Sequence, residues 1–206
     1  MTRDEFVRLV GGKLVHRTLQ ENIPGIETRG LMRPLMLAAL AGVDPNTLLL
    51  REHDVVLRIG HRPAHLNHQK PLRAGHARAG EFLDGHTLES WAAQMNNRIF
   101  LWPQRKGIGF LQSLIDRGPP ASLWLDAGKV FDRMAEHIDL APINTGDATR
   151  RPVKRGDWIY VSATAEAETF RTNRMRRGLT ASPDSVQEIS LRADAPPDVL
   201  ADIRAA

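Results

Sequence analysis

Apolar positions along the chain recur with two periods, one near 3.6 and one of 2, and change period at glycines and prolines. Phe6, Val7, Leu9 and Val10 among charges predict a short helix over Thr2–Val10, which Gly11-Gly12 ends. A short strand follows at Leu14–His16. Pro24 is compatible only with the first turn of a helix, so the next helix starts near Asn22 or Ile23 and stops at Gly30. Pro34–Leu40 reads as an apolar helix ended by Gly42, Pro45–Arg51 as the start of another, and Val55–Ile59 as a strand.

From Gly60 to Gly80, two prolines and four histidines show no regular period, and a long loop is expected. Thr87 caps a helix to Asn96 that carries Leu88, Trp91, Ala92 and Met95 on one face. Strands are expected at Arg98–Trp102, Ala121–Leu125, Leu140–Thr145, Asp157–Val161 and Val186–Ala193. Helices are expected at Ile108–Ile115, Ala127–Glu136 and Ala165–Arg176. Helices and strands alternate irregularly, with no repeated βαβ unit, so the expected class is α+β in one domain over 1–206 with the 60–80 loop as an insertion.

Composition narrows the chemistry. The 206 residues are 42% hydrophobic and 25% charged, enough for a real core. No apolar run is long enough to span a bilayer, and Met1-Thr2-Arg3-Asp4-Glu5 lacks a signal-peptide pattern, so a cytoplasmic protein without membrane contact is expected. The absence of cysteine removes disulfides, thiolate metal sites and cysteine nucleophiles. A net charge of +4, from 28 basic and 24 acidic residues, permits a polyanionic partner without requiring one. Phosphate loops, nucleophile elbows and Rossmann fingerprints are missing, which disfavours NTP hydrolysis, serine hydrolysis and NAD redox chemistry.

Three segments carry candidate chemistry. His16-Arg17-Thr18 offers ring nitrogens and a hydroxyl at a strand end, with Asn22 and Gly30-Leu31 downstream. Arg98-Ile99-Phe100-Leu101-Trp102, followed by Gln104-Arg105, puts aromatic rings where a planar ligand can stack, or into the core. Gln187-Glu188 stands at the mouth of the run Ile189-Ser190-Leu191, where a carboxylate is either surface decoration or a group aimed at a site. His61, His65 and His68 have spacings seen among metal ligands, but Pro63 and the lack of a nearby carboxylate argue against a metal.

His16, Thr18, Asn22, Ile26, Gly30 and Leu31 resemble the opening motif of DarT-type DNA ADP-ribosyltransferases and their uncharacterised bacterial relatives. The Arg98–Trp102 segment is similar to that family's second motif. Gln187–Leu191 and the following Ala195-Pro196-Pro197-Asp198-Val199-Leu200 are similar to its catalytic strand and return.

The resemblance implies a split mixed sheet with helices around it and an NAD cleft between the halves, with NAD consumed as a substrate. His16, Arg17, Thr18, Gly30 and Leu31 would line the NAD pocket, Phe100 or Trp102 would flank nicotinamide, and Glu188 would drive transfer. The cation that meets the diphosphate would come from the 62–70 loop, as Arg62 or Lys70. A Gln-Lys-Pro run shared with the bacterial relatives favours Gln69 and Lys70.

His68, Asn144, Arg150 and Arg151 are the candidates for acceptor contacts, supported by Lys154, Arg155 and a second cluster at Arg171, Arg174, Arg176 and Arg177. Nucleic acid is the expected acceptor, in an enzyme of toxin or phage-defence type that an antitoxin protein would accompany. Two alternatives are an NAD-dependent RNA 2′-phosphotransferase and a non-catalytic nucleic-acid-binding module.

Overall fold

A capping box starts the first helix, because the Thr2 hydroxyl accepts from the Glu5 N–H at 3.3 Å while the Glu5 carboxylate accepts from the Thr2 N–H at 2.8 Å. The structure is a computed structural model, and it describes residues 1–79, 81–106, 118–149, 153–179, 182 and 184–205. Helix α1 (Arg3–Val10) buries Phe6, Leu9 and Val10 and ends at Gly11. Strand β1 (Lys13–Leu19) outlasts its apolar stretch, because all seven of its residues pair with β5. Helix α2 (Ile23–Arg29) holds Pro24 in its first turn, and α3 (Pro34–Leu40) begins on Pro34.

Over residues 60–79 the expected loop is replaced by regular elements. Strands β2 (Val55–Ile59) and β3 (Arg62–Leu66) form a separate hairpin closed by Gly60-His61, with Gly60 at φ 59°. Helix α4 (Lys70–Ala79) follows, and its apolar face is too sparse to read, since Leu72 is its one large aliphatic side chain.

Helix α5 (Leu88–Asn96) is capped by the Thr87 hydroxyl, which accepts from Ser90 N–H at 3.1 Å. Next come β4 (Ile99–Pro103), β5 (Pro120–Asp126) and α6 (Ala127–Met134). The helix expected at Ile108–Ile115 lies outside the described residues.

Strand β6 (Ile138–Ala141) is shorter than expected. Pro142 has no N–H to continue the ladder, and the Asn144 side chain then accepts from the N–H groups of Gly146 and Asp147, both at 3.1 Å. Most of the strand expected at Asp157–Val161 is a 3₁₀ turn. Only β7 (Val161–Ser162) pairs, while the Asp157 carboxylate is held by His86 and Gln94 at 2.9 and 2.6 Å. After α7 (Ala167–Arg176) and β8 (Glu188–Leu191), the chain closes with α8 (Pro197–Ile203), a helix the sequence had masked behind Pro196-Pro197.

The main sheet has the order β5-β1-β4-β8-β6-β7, and every adjacent pair is antiparallel, so the expected mixed sheet is corrected to an antiparallel one. Its last strand in sequence, β8, is inserted near the centre. Leu101, Ile189 and Leu140 stand opposite one another on one face, within a core that includes Leu14, Phe6, Val130 and Leu200. Strand alternation turns Phe100, Trp102 and Glu188 to the other face. A second cluster around Leu72, Trp91 and Tyr160 packs there against Phe100. Among the described residues no helix is long and apolar enough to cross a membrane.

Candidate active site at the parting of the sheet

β1 and β4 pair only through Leu14↔Pro103 and Val15↔Trp102. Beyond Val15, β1 continues with β5 while β4 continues with β8, and the sheet opens between them. The His16 ring fills the start of this gap, with Nδ1 2.9 Å from the Phe100 carbonyl. A carbonyl only accepts, so Nδ1 carries the hydrogen and Nε2 keeps a lone pair. Burial pushes the His16 pKa down, which keeps the ring neutral.

A cleft of about 970 Å³ opens at this gap, lined by His16, Thr18, Arg29, Phe100, Trp102 and Glu188 among others. Its volume lies at the top of the ~300–1,000 Å³ range of small-molecule sites.

Thr18 and Asn22 build one wall. The Asn22 amide donates to the Thr18 hydroxyl at 2.8 Å and to the His65 carbonyl at 3.1 Å, and accepts from the His65 N–H at 2.7 Å. One side chain thus fastens the β2–β3 hairpin to β1. Arg17 secures the neighbouring strand, since its guanidinium bonds the Ser122 hydroxyl and lies 5.3 Å from the Trp124 ring centre.

The opening and closing motifs meet at Gly30. Leu31 and Ala195 exchange two main-chain hydrogen bonds of 2.9 Å each. Gly30 sits at φ 82°, and a Cβ there would lie 2.1 Å from the Ala195 carbonyl oxygen. The backbone that needs this glycine is therefore the Ala195-Pro196 return. Leu31 is 3% exposed, a core residue whose edge reaches the cleft.

Glu188 opens β8 and is 2% exposed. Its Oε1 accepts from the Thr145 hydroxyl and from the Thr145 N–H at 3.3 Å. Burial raises its pKa to about 7, opposed by the Thr145 hydrogen bonds and by the charges of Arg155 and Arg98. A carboxyl so poised exchanges protons near neutrality, as a general base or acid requires.

Residues 12–203 match the model of a family described as a family of unknown function, DUF7002. The chain belongs to the DUF7002 family. No curated protein and no solved structure matches it. The DUF7002 match runs from just before β1 to the last residue of α8, and so takes in both His16 and Glu188.

Other expected residues divide. Lys70 is the exposed first residue of α4 and does not line the cleft, because Pro71 and Leu72 turn inward beside it. Gln69 does line it, but its amide is engaged: Oε1 accepts from the Leu50 N–H at 2.8 Å and Nε2 donates to Asn96 at 3.2 Å. His68 and Asn144 are in the lining, and Arg150 and Arg151 lie outside the described residues. His65 pairs with Glu21 at 2.6 Å, and no group of three potential ligands suited to a metal occurs among the described residues.

Cations that sequence reasoning passed over also line the DUF7002 cleft, Arg51 and Arg29 among them. Arg51 donates to the Asn67 and Leu48 carbonyls at 2.6 and 3.1 Å, and burial lowers its pKa to about 10, which leaves it charged. Arg29 reaches the cleft from the end of α2, and its buried Nε has no hydrogen-bond partner among the described residues. Its position directly before Gly30-Leu31 was the available signal.

Proposed function

We propose that this DUF7002 protein transfers ADP-ribose from NAD to a nucleic-acid acceptor. The observation that carries the reading is one cleft lined by both a neutral His16 and a buried Glu188 with a pKa raised to about 7, on strands flanking β4. A neutral imidazole with a free lone pair accepts from a ribose hydroxyl, and the Thr18 hydroxyl retains a hydrogen to donate. Arg29, rather than Lys70, meets the diphosphate. Phe100 or Trp102 flanks the nicotinamide ring.

Glu188 binds a hydroxyl of the nicotinamide ribose and stabilises positive charge on the ribose as the glycosidic bond lengthens. Nicotinamide leaves with the bonding electron pair. A nucleophilic atom of the acceptor forms the new bond to the same carbon, and its proton passes to Glu188. Support for this order of roles comes from the resemblance of the first and last motifs, whose residues share the cleft.

Incubation with NAD labelled in its adenosine half, in separate pools of DNA, RNA and protein, tests the proposal. Label is expected in a nucleic-acid pool with release of nicotinamide. Label in protein alone would overturn the acceptor, and no label or nicotinamide release in any pool would overturn the reaction.

A further inference from the structure

Glu188 receives both of its hydrogen bonds on one oxygen. The Thr145 hydroxyl and the Thr145 N–H meet Oε1, and Oε2 has no hydrogen bond among the described residues. Thr145 is fully buried, and its carbonyl accepts from Arg155 at 2.8 Å and from the Trp91 indole N–H at 3.3 Å. Its peptide is therefore held from two sides.

The direction of the hydroxyl is set as well. The Tyr160 hydroxyl donates to Thr145 Oγ1 at 3.0 Å, and of the two acceptors within reach of the Thr145 hydrogen, the Glu188 carboxylate and the Met95 thioether at 3.5 Å, the carboxylate is the stronger. Tyr160 is itself fixed, with its ring stacked on Trp91 at 6.0 Å and the Arg98 guanidinium 3.8 Å from its centre. Arg98 is anchored by Asp139 at 2.5 Å and Ser190 at 2.9 Å.

We infer that Thr145, oriented by Tyr160, is a positioning residue that occupies Glu188 Oε1 and so reserves Oε2 for the ligand hydroxyl in the cleft. The inference rests on the ADP-ribosyl transfer reading for what Oε2 does, but not for the geometry. An aliphatic side chain at 145 removes the stronger of the two donors on Oε1 and leaves the carboxylate free to rotate. The groups that then act on its charge are Arg98 and Arg155, both cationic, with the Tyr160 phenol and the Asp139 carboxylate beyond them. Losing a donor to the charged form moves the carboxyl titration upward.

The test follows the Glu188 carboxyl by carbon NMR across pH, assigned with Glu188→Gln, alongside the pH profile of NAD turnover. Thr145→Val is expected to raise the titration midpoint by about one pH unit or more, and to shift the acid limb of kcat by the same amount without changing the KM for NAD. Thr145→Ser is expected to restore both, and Tyr160→Phe to shift both in the same direction by less. The last two variants keep the test intact should valine at 145 prevent folding. Midpoints unmoved in Thr145→Val or, if that variant does not fold, in Tyr160→Phe would overturn the inference. A midpoint that moves in a protein that consumes no NAD would uphold the positioning and overturn the proposed reaction.

Discussion

The His16 ring donates to the main-chain carbonyl of Phe100 at 2.9 Å, in the place where a ladder bond between β1 and β4 would otherwise stand. A side chain bridges the gap while the strands part, and the cleft exists because the strands part. His16→Ala removes the bridge and the lone pair together. The expected loss is about 1–2 kcal/mol of stability by urea unfolding and at least tenfold in NAD affinity by calorimetry. An alanine variant that binds NAD like the wild type would show that His16 serves the sheet alone.

Glu188 and His16 give stability opposite pH dependences. The Glu188 carboxyl has a pKa of about 7 in the fold against 4.5 in the reference state, so its contribution is complete at pH 4.5 and is lost as the pH rises through 7. The cost above pH 7 is on the order of 3 kcal/mol. His16, lowered from 6.5, contributes fully above that value and loses its contribution as the pH falls below it. Glu188→Gln is therefore expected to raise the melting temperature at pH 8.5 by several degrees and to leave it nearly unchanged at pH 4.5. An equal change at both pH values would contradict the raised pKa.

Gly30→Ala drives a Cβ to within 2.1 Å of the Ala195 carbonyl oxygen, at a φ of 82°. Backbone must move at the contact that joins the opening and closing motifs. A loss of about 3 kcal/mol is expected in urea unfolding. Gly42→Ala makes a control, since its φ is also positive, at 68°, but a Cβ there meets nothing within 4 Å, so it carries the conformational cost without the clash.

Arg98 and Asp139 form a buried pair, each side chain 8% exposed, and Asp139 also receives Arg192 at 3.1 Å. Asp139→Ala strands the Arg98 charge beneath the sheet and is expected to cost about 3–5 kcal/mol. Because Arg98 lies over the Tyr160 ring, the same change is expected to alter the near-ultraviolet circular dichroism of the folded protein. Unchanged stability would show that water reaches the pair.

Features set by local chemistry were legible in the sequence. The glycine stops at Gly11 and Gly30, the early Pro24, the Thr87 cap and the strand at Val55–Ile59 all follow from neighbours within a few residues. The 60–80 segment was not, because α4 buries one large aliphatic side chain among basic residues and a two-residue turn hides in Gly60-His61. Long-range insertion was also beyond reach. Nothing near Glu188 says that β8 enters between β4 and β6, which is what brings it into the cleft of His16. Lys70 was favoured by the Gln-Lys-Pro run of the resemblance, yet a helix start turned it outward, while Arg29 and Arg51 reached the cleft through tertiary packing.

The most direct measurement is nicotinamide release from NAD by the wild type and by Glu188→Gln, made beside a calorimetric NAD titration of both. Release by the wild type, loss of at least a thousandfold in the variant and NAD binding within a few-fold in both are the expected results. Equal release from the two proteins, or no NAD binding by either, would contradict a cleft in which Glu188 drives ADP-ribosyl transfer.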